Sequence, residues 1–251
     1  MTDKRTPVAV SAYTEASGAA GGASSDTVKA WDAPTRLFHW ALVVLIGMAW
    51  VSRKYGDAGL VWHTWNGYSI LILIVFRILW GLVGGSTARF TSFMHGPITA
   101  AIYGKDFLLR RPRYFLGHNP LGSVMVYALL LIVATQAIFG LFSYDDHDSI
   151  AGGPLSGKAS EAWVAFFTSW HIRIFDYLLI MIGLHVFASL LYYVWKRENL
   201  PKAMITGRKP RLPYEDEAEA QFGGPLRALA CLVLAAVIVL GGVWVAGGKV
   251  F

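Results

Sequence analysis

Four of the seven histidines in this 251-residue sequence lie within strongly apolar segments: His39, His63, His171 and His185. An ionisable side chain at membrane depth is energetically costly, so each of these residues is a candidate for function. Neutral imidazoles bind metals, and two facing imidazoles are the usual axial ligands of a six-coordinate b-type haem in a helical bundle. The histidines therefore point to haem chemistry, provided that the chain brings them together in pairs.

The spacing of His171 and His185 on one segment predicts two sites rather than one. In an α-helix fourteen residues advance about 21 Å and return to within about 40° of the same face. One helix would thus present two imidazoles at two depths, with His63 near the level of His171 and His39 near the level of His185. This spacing disfavours a zinc or copper ion bound by both His171 and His185.

The composition is that of an integral membrane protein. Hydrophobic residues make up 55% of the chain and charged residues 15%, against roughly 45–50% and about 25% in soluble domains. Crossing a membrane takes about 20 apolar residues, and we predict five spans, two of which follow capping residues, Asp32 and Asn119. The predicted spans are residues 34–51, 62–83, 120–142, 160–195 and 226–246.

The predicted fold is an all-α membrane protein, with a four-helix transmembrane di-haem bundle and a fifth C-terminal transmembrane helix. We expect a disordered cytoplasmic tail at 1–30, the di-haem core at 31–209, a cytoplasmic linker at 210–225 and the fifth helix at 226–251. Lys and Arg are concentrated in the tail and in the connections after the second and fourth spans, which indicates a cytoplasmic N-terminus and a C-terminus on the far side. The connection between the third and fourth spans is acidic instead, with Asp145, Asp146 and Asp148.

Cysteine content and charge exclude several classes of protein. The single cysteine, Cys231, excludes intrachain disulfides, cysteine-ligated iron–sulfur clusters, zinc fingers and the covalent attachment of c-type haem. Any haem must therefore be held noncovalently. The net charge is +6, but the basic residues lie between apolar segments as membrane topology requires, so we expect no nucleic-acid partner.

Several short motifs stand out in the sequence: RLFHW at 36–40, the opening of the second span from His63 to Gly67, GHNPLG at 117–122 and the paired His171 and His185. Together they resemble the bacterial cytochrome b561 family, and most of all its branch that includes the b-type subunit of nickel–iron hydrogenases. The resemblance covers roughly residues 31–209, so the fifth span departs from it. In that family four membrane histidines bind two b haems that connect a quinone pool to a redox partner. The resemblance implies these roles for His39, His63, His171 and His185.

Three arginines and one glycine are candidates to support the haems. Arg77 follows His63 by fourteen residues, so it could bind a haem propionate or extend to the interface. Arg36 could bind a propionate or a lipid phosphate, and Arg173 could bind a far-side propionate or pair with Asp176. Gly67 could make room for a flat porphyrin or could serve helix packing.

Two further polar residues, His118 and Gln136, are not counted among the candidate haem-binding residues. His118 is expected to be structural or a surface proton carrier and is not assigned to haem. Gln136 in the third span is expected to form hydrogen bonds within the bundle, with contact to a quinone as the alternative.

We expect an electron carrier of the bacterial inner membrane, with its C-terminus in the periplasm. It would hold two haem b groups and move electrons between a quinone pool and a redox partner, such as a c-type cytochrome or a dehydrogenase subunit. It would be the electron-transfer subunit of a quinone-linked oxidoreductase. The alternatives are a stand-alone quinone reductase that uses a small reductant such as superoxide, and a non-redox anchor or transporter whose histidines relay protons.

Overall fold

The structure is a computed structural model that describes residues 26–111, 113–144 and 152–249. The predictions for the tail up to residue 25 and for the acidic residues Asp145, Asp146 and Asp148 lie outside the described residues. The described part of the chain is mainly helical, with one short two-stranded sheet.

Eight α-helices follow one another in the described residues. They are α1 (Ala33–Ser52), α2 (Gly56–Val83), α3 (Phe90–Phe93), α4 (Pro97–Leu108), α5 (Pro120–Phe142), α6 (Glu161–Lys196), α7 (Leu200–Thr206) and α8 (Pro225–Val245). Five of them, α1, α2 from Leu60, α5, α6 and α8, are long and apolar enough to cross a membrane. This confirms the predicted all-α membrane fold with five spans.

Local side-chain chemistry fixes where two of the spans begin. The carboxylate of Asp32 accepts a hydrogen bond from the backbone N–H of Thr35 at 2.9 Å, which caps α1. The side-chain oxygen of Asn119 accepts one from Gly122 at 2.9 Å and caps α5 in the same way. A proline occupies the first turn of each helix, where a missing N–H leaves no bond unmade.

Helix α2 lies at the centre of the bundle. It packs against α1, α5 and α8, and α5 packs in turn against α6. Ile70 and Ile74 of α2 meet Val133 of α5 and Leu178 of α6 in one buried cluster. A second cluster joins Trp80 of α2 to residues of α1 and α8. The fifth span is therefore an integral part of the bundle.

A polar cap covers one end of the bundle. We define it as residues 26–32, 84–88, 113–118 and 198–221. In this cap β1 (Thr27–Lys29) pairs antiparallel with β2 (Arg208–Pro210). This pairing gives residues 27–29, which belong to the predicted tail at 1–30, backbone partners that the local sequence could not reveal.

Buried polar side chains bind the parts of the cap to one another. Lys209 is buried, with its Nζ 2.8 Å from the carboxylate of Glu198 and 3.0 Å from the carbonyl oxygen of Phe115. The carboxylate of Asp216 accepts hydrogen bonds from the backbone N–H groups of Leu116, at 2.7 Å, and Gly117, at 2.8 Å. The predicted linker is thus tied to the core.

The buried ion pair of the cap yields a stability prediction. Lys209→Met leaves the carboxylate of Glu198 without its partner in a poorly solvated position, so we expect a loss of about 3 kcal/mol in unfolding free energy. Unfolding exposes the buried thiol of Cys231. The temperature at which this thiol reacts with a thiol-specific dye therefore measures the loss of stability. The double variant Glu198→Gln/Lys209→Met should recover most of it.

A more exposed ion pair of the cap provides the control. Arg113 and Glu215 lie 2.8 Å apart, but their side chains are 30% and 40% exposed. Arg113→Met should therefore cost less than about 1 kcal/mol. Equal losses of unfolding free energy in Lys209→Met and Arg113→Met would show that the buried ion pair stabilises the protein no more than the exposed one.

Candidate functional site

The structure brings the four candidate histidines together in two pairs. His63 of α2 and His171 of α6 have ring centroids 6.0 Å apart. His39 of α1 and His185 of α6 have ring centroids 6.3 Å apart. These are the juxtapositions that the sequence spacing predicted. We call His39 and His185 the cap-side pair, because His39 lies two turns from Asp32, and His63 and His171 the far-side pair.

Both rings of the far-side pair are held through Nδ1 by backbone carbonyl oxygens. Nδ1 of His63 lies 2.8 Å from the oxygen of Ala49, near the end of α1. Nδ1 of His171 lies 2.8 Å from the oxygen of Gln136 in α5. A carbonyl oxygen only accepts hydrogen bonds, so each Nδ1 donates its proton and each Nε2 keeps a lone pair. Metal-binding histidines are usually prepared in this way.

The cap-side pair is less constrained. Nδ1 of His39 is buried and has no hydrogen-bond partner among the described residues. Buried polar atoms in proteins nearly always have a partner, so an unpaired one marks a position where a further group completes the site. The indole of Trp40 lies edge-on to the same ring, with centroids 5.0 Å apart.

An open cleft adjoins the far-side pair. Its cavity volume is about 80 Å³. The residues that line it include Arg53, His63, Gly67, Tyr68, Gly140, Tyr144, Thr168 and His171. A Cβ atom added to Gly67 would meet nothing within 4 Å, so this predicted residue borders open space.

Gly140 is a residue that sequence reasoning missed. A Cβ atom at this position would lie 2.9 Å from Cε1 of His171 and 3.3 Å from its Nδ1. Only glycine therefore lets the His171 ring reach the carbonyl oxygen of Gln136, one turn earlier on α5. The available signal was the spacing of Gln136 and Gly140, but it acquires meaning only once α5 is known to face α6. Arg53, which lines the cleft, was also missed.

The three candidate arginines have different surroundings. Arg77 is buried, its guanidinium carbon lies 4.7 Å from the centre of the Phe90 ring, and its Nη1 has no hydrogen-bond partner among the described residues. Nη1 of Arg36 donates a hydrogen bond to the carbonyl oxygen of Ile205 at the end of α7, and its buried Nε has no hydrogen-bond partner among the described residues. Arg173 is exposed and lies 5.7 Å from the ring of Trp170. Of the three, Arg77 best retains the predicted role.

The ring of His118 packs against one aromatic ring of the cap and one of α3. Its ring lies 4.8 Å from that of Trp31 and 4.7 Å from that of Phe93, measured between centroids. Burial, assisted by the positive charges of Arg77 and Lys209, lowers the pKa of His118 to about 3. The ring is therefore neutral at physiological pH, which agrees with the structural interpretation and not with a surface proton carrier.

Comparison with known proteins gives a consistent result. The model of the family described as prokaryotic cytochrome b561 matches residues 30–207. A probable Ni/Fe-hydrogenase B-type cytochrome subunit of Azotobacter vinelandii is 24% identical over 216 residues, which cover 72% of this chain and 87% of the relative. A protein of the same description from Cupriavidus necator is 23% identical over 229 residues, or 77% and 91% of the two chains.

The contact between Gly140 and His171 generates a prediction. Gly140→Ala should displace the His171 ring from the Gln136 carbonyl and lower the haem content of the purified protein. The haem-to-protein ratio, from the absorbance of a pyridine extract, measures this. Gly104→Ala on α4 is the matched control, since its Cβ atom would make only ordinary contacts of 3.8–3.9 Å with Leu121. An unchanged ratio in Gly140→Ala would refute the positioning role of this glycine.

Proposed function

The chain belongs to the prokaryotic cytochrome b561 family, and we propose from this premise that each of its two histidine pairs binds one haem b. Family membership and the names of the relatives support a transmembrane carrier of electrons that contains haem b. The observation that carries the proposal of two haems is the pairing of His63 with His171 and of His39 with His185. One helix, α6, supplies a ligand to each site.

The residues around each pair fit such a group. Two imidazoles from facing helices form the donor set of a bis-histidine haem. At the far-side pair, Nδ1–H donation to Ala49 and Gln136 keeps a lone pair on Nε2 of both rings, and Gly67 borders free space for a flat ring. The side-chain nitrogen of Gln136 lies 3.5 Å from Nε2 of His171, a contact that a bound iron would replace. The bound haem would supply reversible one-electron chemistry at iron. Because two histidines would hold each haem, these residues favour electron transfer over the binding of oxygen.

We propose that Arg77 holds a propionate of the cap-side haem. The guanidinium is buried, carries an unused Nη1 donor and comes from the same helix as His63, fourteen residues further toward the cap. A buried guanidinium N–H without an acceptor is costly, whereas a carboxylate at that position would form a charge-assisted hydrogen bond with it. Arg36 is the second candidate for this role, since its Nη1 already donates to the Ile205 carbonyl while its buried Nε is unused. We retain Arg173 only as a far-side candidate.

The electron donor and acceptor are proposed from chemistry and from the names of the relatives. Bis-histidine sites give iron no open position for a substrate, so the oxidation of a substrate would belong to a partner protein. The relatives are named as subunits of Ni/Fe-hydrogenases, and we propose a partner of that kind, a dehydrogenase subunit or a c-type cytochrome. We propose that the chain exchanges electrons with the quinone pool on its other side.

We further propose that the chain is oriented with its cap in the cytoplasm of a bacterium. The cap includes many of the basic residues, among them Lys202, Arg208, Lys209 and Arg211. Short loops rich in Lys and Arg stay on the cytoplasmic side of the inner membrane. Since the described residues contain five spans, the end of α8 that is remote from the cap, and with it the C-terminus, would lie in the periplasm.

Single histidine variants test the two-haem proposal. The native protein should bind two haems per chain, with a reduced-minus-oxidised spectrum of b type. His185→Ala should remove the cap-side haem and His63→Ala the far-side haem, because each loses one axial ligand, and the double variant should bind none. Pyridine extracts give the ratios, and redox titration identifies which centre remains.

His95→Ala serves as the control for these variants. This ring lies outside both pairs and is 3.2 Å from the hydroxyl of Ser123, so two haems should remain. A colourless protein from haem-replete cells would contradict the proposal and favour a transporter with a histidine proton relay. Rapid reduction of the bound haem by superoxide alone would favour the stand-alone quinone reductase.

The role of Arg77 is tested by potentials. Arg77→Gln should lower the midpoint potential of the cap-side haem by on the order of 50 mV, because a nearby positive charge stabilises the reduced site. The far-side haem should keep its potential, and Arg77→Lys should restore part of the loss. Arg197→Gln, an exposed cation at the same end, should shift neither centre. Equal shifts in Arg77→Gln and Arg197→Gln would exclude a specific contact with a propionate.

A further inference from the structure

A second cleft lies at the cap end of the bundle, between the end of α2 and the start of α8. It contains about 950 Å³ of free space, its open mouth included. Glycines, arginines and apolar residues are among those that line it. These residues are Gly84 and Gly223, Arg89 and Arg227, and Leu82 and Phe222. The segment that carries Phe222, Gly223 and Arg227 lies beyond the residues matched by the family model, 30–207.

The cleft is positively charged and short of acceptors. Arg227 donates one hydrogen bond from Nη1 to the carbonyl oxygen of Val83 at 3.1 Å. The guanidinium of Arg89 forms no hydrogen bond or ion pair within the described residues. None of the lining residues is acidic. The first turn of α8 also lacks a side-chain cap at Gly224, so its backbone donors add to the positive field.

Trp80 gives the cleft a fixed floor. Its indole is fully buried beneath the two glycines. A Cβ atom on Gly84 or on Gly223 would approach the Trp80 ring to 2.6 Å. The absence of side chains at these positions therefore lets the backbone lie flat on the indole, whose N–H is in turn held by Asp32 at 3.1 Å. A floor built in this way does not depend on a ligand.

The position of the cleft identifies the class of ligand. It lies at the ends of two membrane-crossing helices, beside Leu82 and Leu226, whose side chains are 64% and 80% exposed. Arginines at such a depth are at the level of lipid head groups. We propose that the cleft binds an anionic phospholipid, with the phosphate shared by Arg89 and Arg227 and the acyl chains along Leu82 and Phe222. Guanidinium groups bind phosphate through paired charge-assisted hydrogen bonds.

The proposal is tested on the full-length, haem-loaded protein after removal of lipid in a neutral detergent. Native mass spectrometry measures the binding of dioleoyl phosphatidylglycerol and of dioleoyl phosphatidylcholine in separate titrations. We expect one tightly bound phosphatidylglycerol and markedly weaker binding of phosphatidylcholine. Arg89→Gln/Arg227→Gln should weaken phosphatidylglycerol binding by about 30-fold, if each arginine contributes as basic residues do near anionic membranes.

Matched variants separate a specific site from general charge. Lys202→Gln/Arg211→Gln removes two exposed cations from the same end of the bundle and should leave the affinity unchanged. Arg89→Lys/Arg227→Lys should restore part of it, and an unaltered haem spectrum shows that each variant is folded. Equal weakening by both Gln pairs would overturn the proposal.

Two further outcomes would also overturn it. Equal affinity for phosphatidylcholine would show that the anionic head group is not recognised. Displacement of phosphatidylglycerol by equimolar glycerol 1-phosphate would show that the cleft binds a free phosphate ester without need of acyl chains.

Discussion

The structure depends on the geometry of one long helix. Fourteen residues of α6 return His171 and His185 to one side at depths about 21 Å apart. Their partners, His39 and His63, both lie near the starts of their helices, α1 and α2. Because three residues, 53–55, connect these two helices, α1 and α2 run antiparallel, and their starts lie at opposite ends of the bundle. Two helix beginnings thus supply ligands at two depths.

The polar cap fixes the depth of the first of these ligands. Asp32 is almost fully buried; it caps α1 through Thr35 and accepts the indole N–H of Trp80 from α2. One carboxylate therefore sets where α1 begins and ties it to the central helix. Trp80 also supports the glycine floor beneath the start of α8. The histidine pair, the cap and the added helix consequently share one set of buried contacts at this end.

Much of this arrangement follows from local sequence, and the rest depends on contacts between distant segments. The spans were predictable from apolar length, and their starts from the capping residues Asp32 and Asn119. The histidine pairs followed from helix periodicity combined with the alternating direction of successive spans. The carboxylate clamp of Asp216 on Leu116 was not predictable, since about 100 residues separate its partners in the chain.

The rotation of each helix about its own axis could not be predicted from the sequence either. Periodicity places Arg173 near the level of the far-side pair, but the rotation of α6 leaves it exposed. The same rotation turns His171 toward α5, where it finds the Gln136 carbonyl beside Gly140. Strand β1 was missed for a related reason. Its three residues show no apolar pattern, and only the return of the chain at residues 208–210 gives them a partner.

The most direct test is an electron cryo-microscopy map of the haem-loaded protein in a lipid nanodisc, at a resolution that shows side chains. We predict two flat densities with central metal peaks, one between His63 and His171 and one between His39 and His185. A metal peak elsewhere, or histidine rings directed toward the lipid, would contradict the account.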